Sequence, residues 1–220
     1  MELLEGIKNR RSIRGFKPTP IPEETIRNIL EAAKKSPSTS NTQPWQVAVV
    51  TGKKKEELSK ILCDLAKSGA SEKSDMSSTD NWPPEMEQRF REHSANRFKT
   101  LGIDRADQEQ RLELRLRGLQ FFGAPCALFL FMDGALGMSS FFDMGLFAQS
   151  LVLAAHASGL GACLQLALTG YSEAVRDFLG LPATKKLIIG ISMGYPDPEA
   201  KLNTYHSTRI GVDDFVHWYA

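Results

Sequence analysis

The sequence predicts an α+β fold, a small central sheet of three or four strands among a larger number of helices, with α/β as the alternative. Three observations lead there. Two apolar runs, 127–132 and 187–193, are too continuous to alternate and read as central strands covered on both faces. Apolar stripes at helical spacing occupy 23–33 and 54–67, and a long apolar helix fits 141–157. The two kinds of segment are mixed in order, with no internal repeat or interdomain linker, so the 220 residues are expected as one domain or one subunit of an oligomer.

In chain order, residues 3–11 predict a short helix with Leu3, Leu4 and Ile7 on one face and Arg10 and Arg11 at its C-terminal end, where basic groups suit the helix dipole. Pro18, Pro20 and Pro22 keep the chain out of a helix until Glu23. Pro22 suits the first helical position, Glu23 and Glu24 the first turn, and Ile26, Ile29, Leu30 and Ala33 the buried stripe. Ser36 and Pro37 end that helix, and 37–44 follows without one large apolar side chain. A strand at 45–50 closes at the turn signal Thr51-Gly52-Lys53, before a helix over 54–67. From 68 to 84 the chain is polar and weakly patterned, which predicts a mobile loop. Residues 85–119 are charged and helix-compatible, so 68–119 reads as an insert within the domain. After the strand at 127–132 and the helix at 141–157, Gly159-Leu160-Gly161 breaks the chain. Residues 162–168 are strand or extended, 171–179 a short helix, and 187–193 a strand terminated by Gly194-Tyr195-Pro196. The tail, 196–220, contains Tyr205, Phe215, Trp218 and Tyr219, and must pack on its own domain or on a neighbour.

Twenty-seven basic and 26 acidic residues leave a net charge of +1, so no global field favours nucleic acid or an acidic membrane. Three widely spaced cysteines argue against a disulfide framework and suit a reducing compartment. With only four histidines and no dense Cys/His cluster, no metal site is expected. The N-terminus lacks the basic flank and apolar run of a signal peptide. Asp143, Gln149, Ser150, His156 and Ser158 interrupt the apolar stretch 141–168, which reads as a buried helix and a turn, not a membrane span. The expected location is cytoplasmic.

Three constellations carry possible chemistry. In Arg10-Arg11-Ser12-Ile13-Arg14, an extended chain sends Ser12 and Arg14 to one side and Ile13 into the core. Guanidinium forks and a hydroxyl suit a phosphate dianion, while a solvated basic patch paired with local carboxylates explains the same residues. The loop 37–44 offers Ser38, Thr39, Ser40, Asn41, Thr42 and Gln43 as neutral donors and acceptors, fitting either a polyhydroxylated ligand or a capped helix followed by a polar turn. Gly159-Leu160-Gly161 permits close backbone approach to a flat ligand, or simply turns the chain. There is no GxGxxG after an early strand and no GxxxxGK[ST] loop, so any nicotinamide would bind transiently, without its own Rossmann domain. No histidine is assigned as acid or base; His156 is expected to be a satisfied core or interface residue.

In this order, Arg10-Arg11-Ser12-Ile13-Arg14, Pro37-Ser38-Thr39-Ser40-Asn41-Thr42-Gln43-Pro44-Trp45, Gly159-Leu160-Gly161, Ile191-Ser192-Met193-Gly194-Tyr195-Pro196-Asp197 and a late Arg209 resemble the nitroreductase family of FMN enzymes. The resemblance implies a homodimer of α+β subunits, each with a small mixed or antiparallel sheet surrounded by helices. It further implies FMN at the subunit interface and a C-terminal extension, 196–220, that embraces the partner subunit. Carried onto this chain, it places the FMN phosphate on Arg10, Ser12, Arg14 and Arg209, with Arg11 in the same block. Asn41, Pro37, Ser38 and Thr39 lie along the flavin, and Gln43 serves the flavin, the interface or the loop. The backbone of Leu160 and Gly161 faces the flavin N5. The insert 68–119 shapes the substrate channel as a lid, with Trp82, Phe90 and Phe98 as contacts over the flavin or as a satellite apolar cluster. The implied activity moves electrons from NADH or NADPH to a nitroaromatic, a quinone or a similar small acceptor. Reductive dehalogenation, ene reduction and flavin binding without turnover are the alternatives on the same scaffold.

Overall fold

The computed structural model describes residues 2–76 and 81–220. Its strands are β1 (Gln46–Thr51), β2 (Cys126–Asp133), β3 (Gly161–Gln165) and β4 (Lys185–Gly194). They form one antiparallel sheet in the order β1-β2-β4-β3, so the two apolar runs do occupy the centre. A single parallel bridge joins Ser12 to Ala162 of the edge strand β3. Seven helices surround the sheet among the described residues: α1 (Leu3–Asn9), α2 (Glu23–Ala33), α3 (Gly52–Lys67), α4 (Pro84–Leu101), α5 (Gln108–Leu119), α6 (Met138–Ala157) and α7 (Ser172–Leu179).

Strand alternation divides the core in two. Cys126, Leu128, Leu130 and Met132 of β2 meet Ile26 and Ile29 of α2 and Met144, Phe147 and Leu151 of α6. Ala127, Phe129 and Phe131 point the other way, against Leu58 and Leu62 of α3, Leu119 of α5 and Val175 of α7. Each of the buried phenylalanines Phe121, Phe129, Phe131 and Phe147 contributes on the order of 2–3 kcal/mol of apolar burial. Trp45, just before β1, stacks on Phe147 with centroids 4.8 Å apart, which ties the 37–44 loop to α6.

Several expectations are corrected. No turn separates β1 from α3: the helix begins at Gly52, whose φ of +53° makes the corner in a single residue. The helix over 141–157 begins earlier, at Met138. The stretch 162–168 is strand only to Gln165 and then a 3₁₀ turn, Leu166–Gly170. The insert contains two helices, and the first, α4, has no buried residue. The expected mobile loop is pinned at its start. Lys73 N donates to Gly170 O at 2.7 Å, Ser74 Oγ lies 2.6 Å from Thr169 Oγ1, and Asp75 accepts from Leu187 N at 2.9 Å while pairing with Arg176. Residues 77–80, also within that expected loop, lie outside the described residues.

Two apolar surfaces remain uncovered. The stripe expected on α1 is exposed at Leu3, Leu4 and Ile7, and so are Met138 and Phe142 at the start of α6. In the tail Trp218 and Tyr219 are 82% and 93% exposed. Among the described residues α6 is the one helix long and apolar enough to cross a membrane, but it buries Ser140, Asp143 and its apolar face against the sheet and α2.

Candidate functional site

The Arg10 to Arg14 segment is held by two elements, β3 and the tail. Ile13 N donates to Ala162 O at 3.0 Å, which lays the segment along β3, and Ile13 itself is buried. The close approach requires glycine at 161, since a Cβ there would lie 2.6 Å from Ile13 Cγ1. From the tail, Asn203, 5% exposed, accepts from Arg14 N at 2.7 Å. Its amide donates to Gly15 O at 2.8 Å and Asp197 O at 2.9 Å. The Asn203 carbonyl accepts from the Arg11 guanidinium, so Arg11 fastens the tail while its neighbours stay free.

Around this segment four guanidinium groups, Arg10, Arg14, Arg97 and Arg209, enter no ion pair among the described residues. Burial lowers the pKa of Arg10, and the charge of Arg209 adds to the effect. Arg97 is lowered by burial first and by Arg14 second, and its Nε is buried without a hydrogen-bond partner. His93, one helical turn before Arg97 on α4, has its Nδ1 2.9 Å from Tyr205 Oη. Burial, then Arg97, Arg14 and Arg209, hold its pKa below the ordinary value, so the ring stays neutral at pH 7. The Cys163 thiol is pushed up by burial despite the nearby Arg14, Ser12 and Arg97, and remains protonated. Arg10, Arg14 and Arg97 are partly buried and Arg209 is exposed, and cations gathered without a carboxylate define a site for an anion.

Beside the cluster lies a cavity of about 730 Å³ between α4, α5 and the end of β3. Its size and its apolar walls suit a small aromatic ligand. Arg14, Arg97, Cys163 and the stretch from Leu164 to Ala167 line it. Of the three aromatic residues expected in a substrate channel, Phe98 lines the cavity. Trp82 and Phe90 are exposed, and belong neither to that wall nor to either core cluster.

The other expected residues lie elsewhere. Leu160 and Gly161 border a separate cleft of about 160 Å³ with Arg10, Arg11, Val152 and His156, and Leu160 N is engaged with Ala155 O at 2.9 Å. His156, expected to be satisfied, has a buried Nε2 with no partner among the described residues. The 37–44 loop sits toward the other end of α6, where Asp143 accepts from Thr39 N at 3.1 and 3.2 Å and from Thr39 Oγ1 at 3.3 Å. Ser38 Oγ accepts from Gln43 N at 3.0 Å, and Ser40, Asn41 and Gln43 all have positive φ with exposed side chains. Asp143 is nine residues from Val152 and 13 from His156, which places loop and arginines roughly 14–20 Å apart along α6.

Sequence reasoning missed His93, Arg97, Tyr205 and Asn203. The spacing of His93 and Arg97 was available, but α4 is charged around its whole circumference, so no stripe marked which face turns inward. A single asparagine in a polar tail carried no signal.

An α+β chain with an unpaired arginine cluster beside a cavity of aromatic size belongs to the anionic-cofactor class of proteins. Within that class the chain is a member of the nitroreductase family, whose model matches residues 7–195. It is 33% identical over 216 residues to the 4-nitrobenzoate reductase of Pseudomonas putida, covering 96% of this chain and 93% of that one. Nitroreductase NfnB of Mycolicibacterium smegmatis is 34% identical over 215 residues, covering 94% of this chain and 88% of its own. The crystal structure of the FMN-dependent nitroreductase NfnB from Mycobacterium smegmatis in complex with NADPH superposes with a TM-score of 0.95 at 32% identity, covering 99% of this chain and 97% of that one.

Proposed function

We propose that this chain is an FMN-dependent oxidoreductase that takes electrons from reduced nicotinamide and delivers them to nitroaromatic or similar small organic acceptors in the cytoplasm. The observation that carries the reading is the pair of partly buried arginines, Arg10 and Arg14, which meet no carboxylate among the described residues, with Arg14 bordering an aromatic-sized cavity. The names of the relatives, a 4-nitrobenzoate reductase and an FMN-dependent nitroreductase crystallised with NADPH, support the same reading.

Arg10, Ser12, Arg14 and Arg209 would hold the FMN phosphate, with Asn203 fixing the backbone of Arg14 and Arg11 fixing Asn203. When bound, FMN supplies the redox centre that accepts hydride and passes electrons on. The chain's own part is to orient ligands and shield them from water. Because Leu164 to Ala167 line the cavity and Leu160 and Gly161 do not, we assign the backbone contact with the flavin edge to the former stretch.

The working unit in this reading is a homodimer, with 68–119 as a lid and 196–220 exchanged onto the partner. Pro37, Ser38, Thr39, Asn41 and Gln43 then complete the site of the other copy. Two features support this: the loop's distance along α6 from its own arginines, and the cavity's lying on the face of the sheet opposite α6. A second copy would also cover the apolar surfaces of α1, α6 and the tail, which are costly to leave in water.

Purified protein should be yellow and release about one FMN per chain. Arg14→Gln or Arg209→Gln should weaken retention of FMN more than retention of riboflavin, because only FMN carries the phosphate. Colourless protein that FMN cannot reconstitute, or equal losses of both flavins, refutes the assignment.

A further inference from the structure

The wall of the 730 Å³ cavity contains four arginines, Arg14, Arg97, Arg111 and Arg115, and no aspartate or glutamate. Arg115 is engaged with Glu72 and with Tyr171 Oη, and Arg14 belongs to the phosphate end. Arg111 is exposed. Arg97 is different: it is partly buried and its Nε is left without a partner among the described residues. A guanidinium held out of water with open donors is costly unless an anion arrives. The adjoining cavity of about 490 Å³, which shares Arg14, Leu114, Phe122 and Leu202, sets Glu113 and Asp197 beside Arg14, Arg117 and Lys201, so the larger excess of positive charge belongs to the first cavity.

The remaining surface defines the rest of the ligand. Phe98, Leu112 and Phe122 are apolar and suit a flat ring, with the 164–167 stretch left to the flavin edge. We propose that this cavity selects acceptors that are aromatic acids, and that the Arg97 guanidinium binds the carboxylate. The inference rests on the oxidoreductase reading above and adds the substrate class to it. Arg97 contributes two further properties. Its fork matches a carboxylate in paired geometry, which a lysine ammonium does not. Its place on α4, an element with no buried residue, lets the lid set the spacing between ring and charge without disturbing the sheet.

The test compares the wild type with Arg97→Gln, using benzoate and benzamide as binding probes in calorimetry on the protein as purified. In parallel, kcat/KM is measured for 4-nitrobenzoate and for the neutral 4-nitrobenzamide. The wild type should bind benzoate more tightly than benzamide. In the variant the preference for acid over amide should fall about 10- to 100-fold, the range of one charge-assisted hydrogen-bonded pair, and the change should appear in KM. Arg97→Lys keeps the charge but not the fork and should fall between the two, so it carries the test should Arg97→Gln not fold. An unchanged preference in a folded variant overturns the proposal. So does loss of FMN, which would make Arg97 a phosphate ligand, or a rise in KM confined to NADPH, which would give it to the nucleotide. Calorimetry needs no turnover: benzoate bound through Arg97 by a protein that reduces neither acceptor nor quinone would uphold the cavity assignment and refute the oxidoreductase reading alone.

Discussion

Asn203→Ala removes one small side chain and is expected to cost more than any other single polar truncation near the site. The side chain accepts from Arg14 N at 2.7 Å and donates to Gly15 O at 2.8 Å and Asp197 O at 2.9 Å. With 5% exposure, water cannot freely replace those bonds. Truncation leaves the Arg14 N–H without a partner, while Gly15 O keeps Asp197 N at 3.1 Å and Asp197 O keeps Ala200 N at 3.3 Å. At about 1–3 kcal/mol for the orphaned N–H and about 0.5–1.5 kcal/mol for each of the two lost amide bonds, the net cost is about 3 kcal/mol. For a chain of this length that corresponds to a fall in Tm of roughly 6–12 °C. Urea unfolding at fixed protein concentration and saturating FMN measures it, with an unchanged m value marking a true loss of stability. The affinity for FMN should fall further than that for riboflavin, because the freed backbone carries Arg14. A loss below about 0.5 kcal/mol, or a stability loss with both flavins equally affected, would refute the idea that Asn203 clamps the phosphate segment.

Other outcomes follow from the same geometry. Gly161→Ala drives a Cβ into Ile13 and should destabilise by about 1–3 kcal/mol, with partial recovery in the Gly161→Ala, Ile13→Ala double variant; no recovery would place the strain elsewhere. Asp143, 2% exposed, restrains Thr39, so Asp143→Ala should speed hydrogen exchange across 38–43 while leaving the 10–14 segment protected. Burial and three arginines hold the His93 pKa below its unfolded value of about 6.5, so between the two values the unfolded chain binds more protons than the native one. Stability from this group is therefore complete above the unfolded pKa and declines as pH falls toward the folded one. A His93→Gln variant should show a flatter dependence of the urea midpoint on pH in that acid interval; an identical slope would remove His93 from the account.

The centre of the fold was legible because its signals are local. Residues 127–132 are apolar without interruption, 187–193 is broken only by Gly190 and Ser192, and the stripe Ile26, Ile29, Leu30 and Ala33 has one reading. The extended course of the segment from Arg10 to Arg14 was legible for a similar reason, as Ile13 sits alone between Ser12 and Arg14 and is the one that is buried. What stayed hidden depends on partners distant in the chain. The loop at 68–76 looks unstructured because Lys73, Ser74 and Asp75 find Gly170, Thr169, Arg176 and Leu187, about 100 residues later. Arg97 is one of many charges on α4, and only the position of Arg14 distinguishes it. The glycines at 159 and 161 drew attention to Leu160, yet Gly161 is there for Ile13, and β3 reaches the cavity only at Cys163.

The distance along α6 between the loop at Thr39 and the arginine segment has a genetic meaning. In the dimer proposed above, a chain altered only at Arg14 and a chain altered only at Asn41 damage different halves of each composite site. Each allele alone then leaves no intact site. Random pairing of the two chains makes about half of the dimers mixed, and each mixed dimer keeps one undamaged site of two, so co-expression restores about a quarter of the sites. Two inactive alleles would therefore complement each other, although neither chain has been repaired.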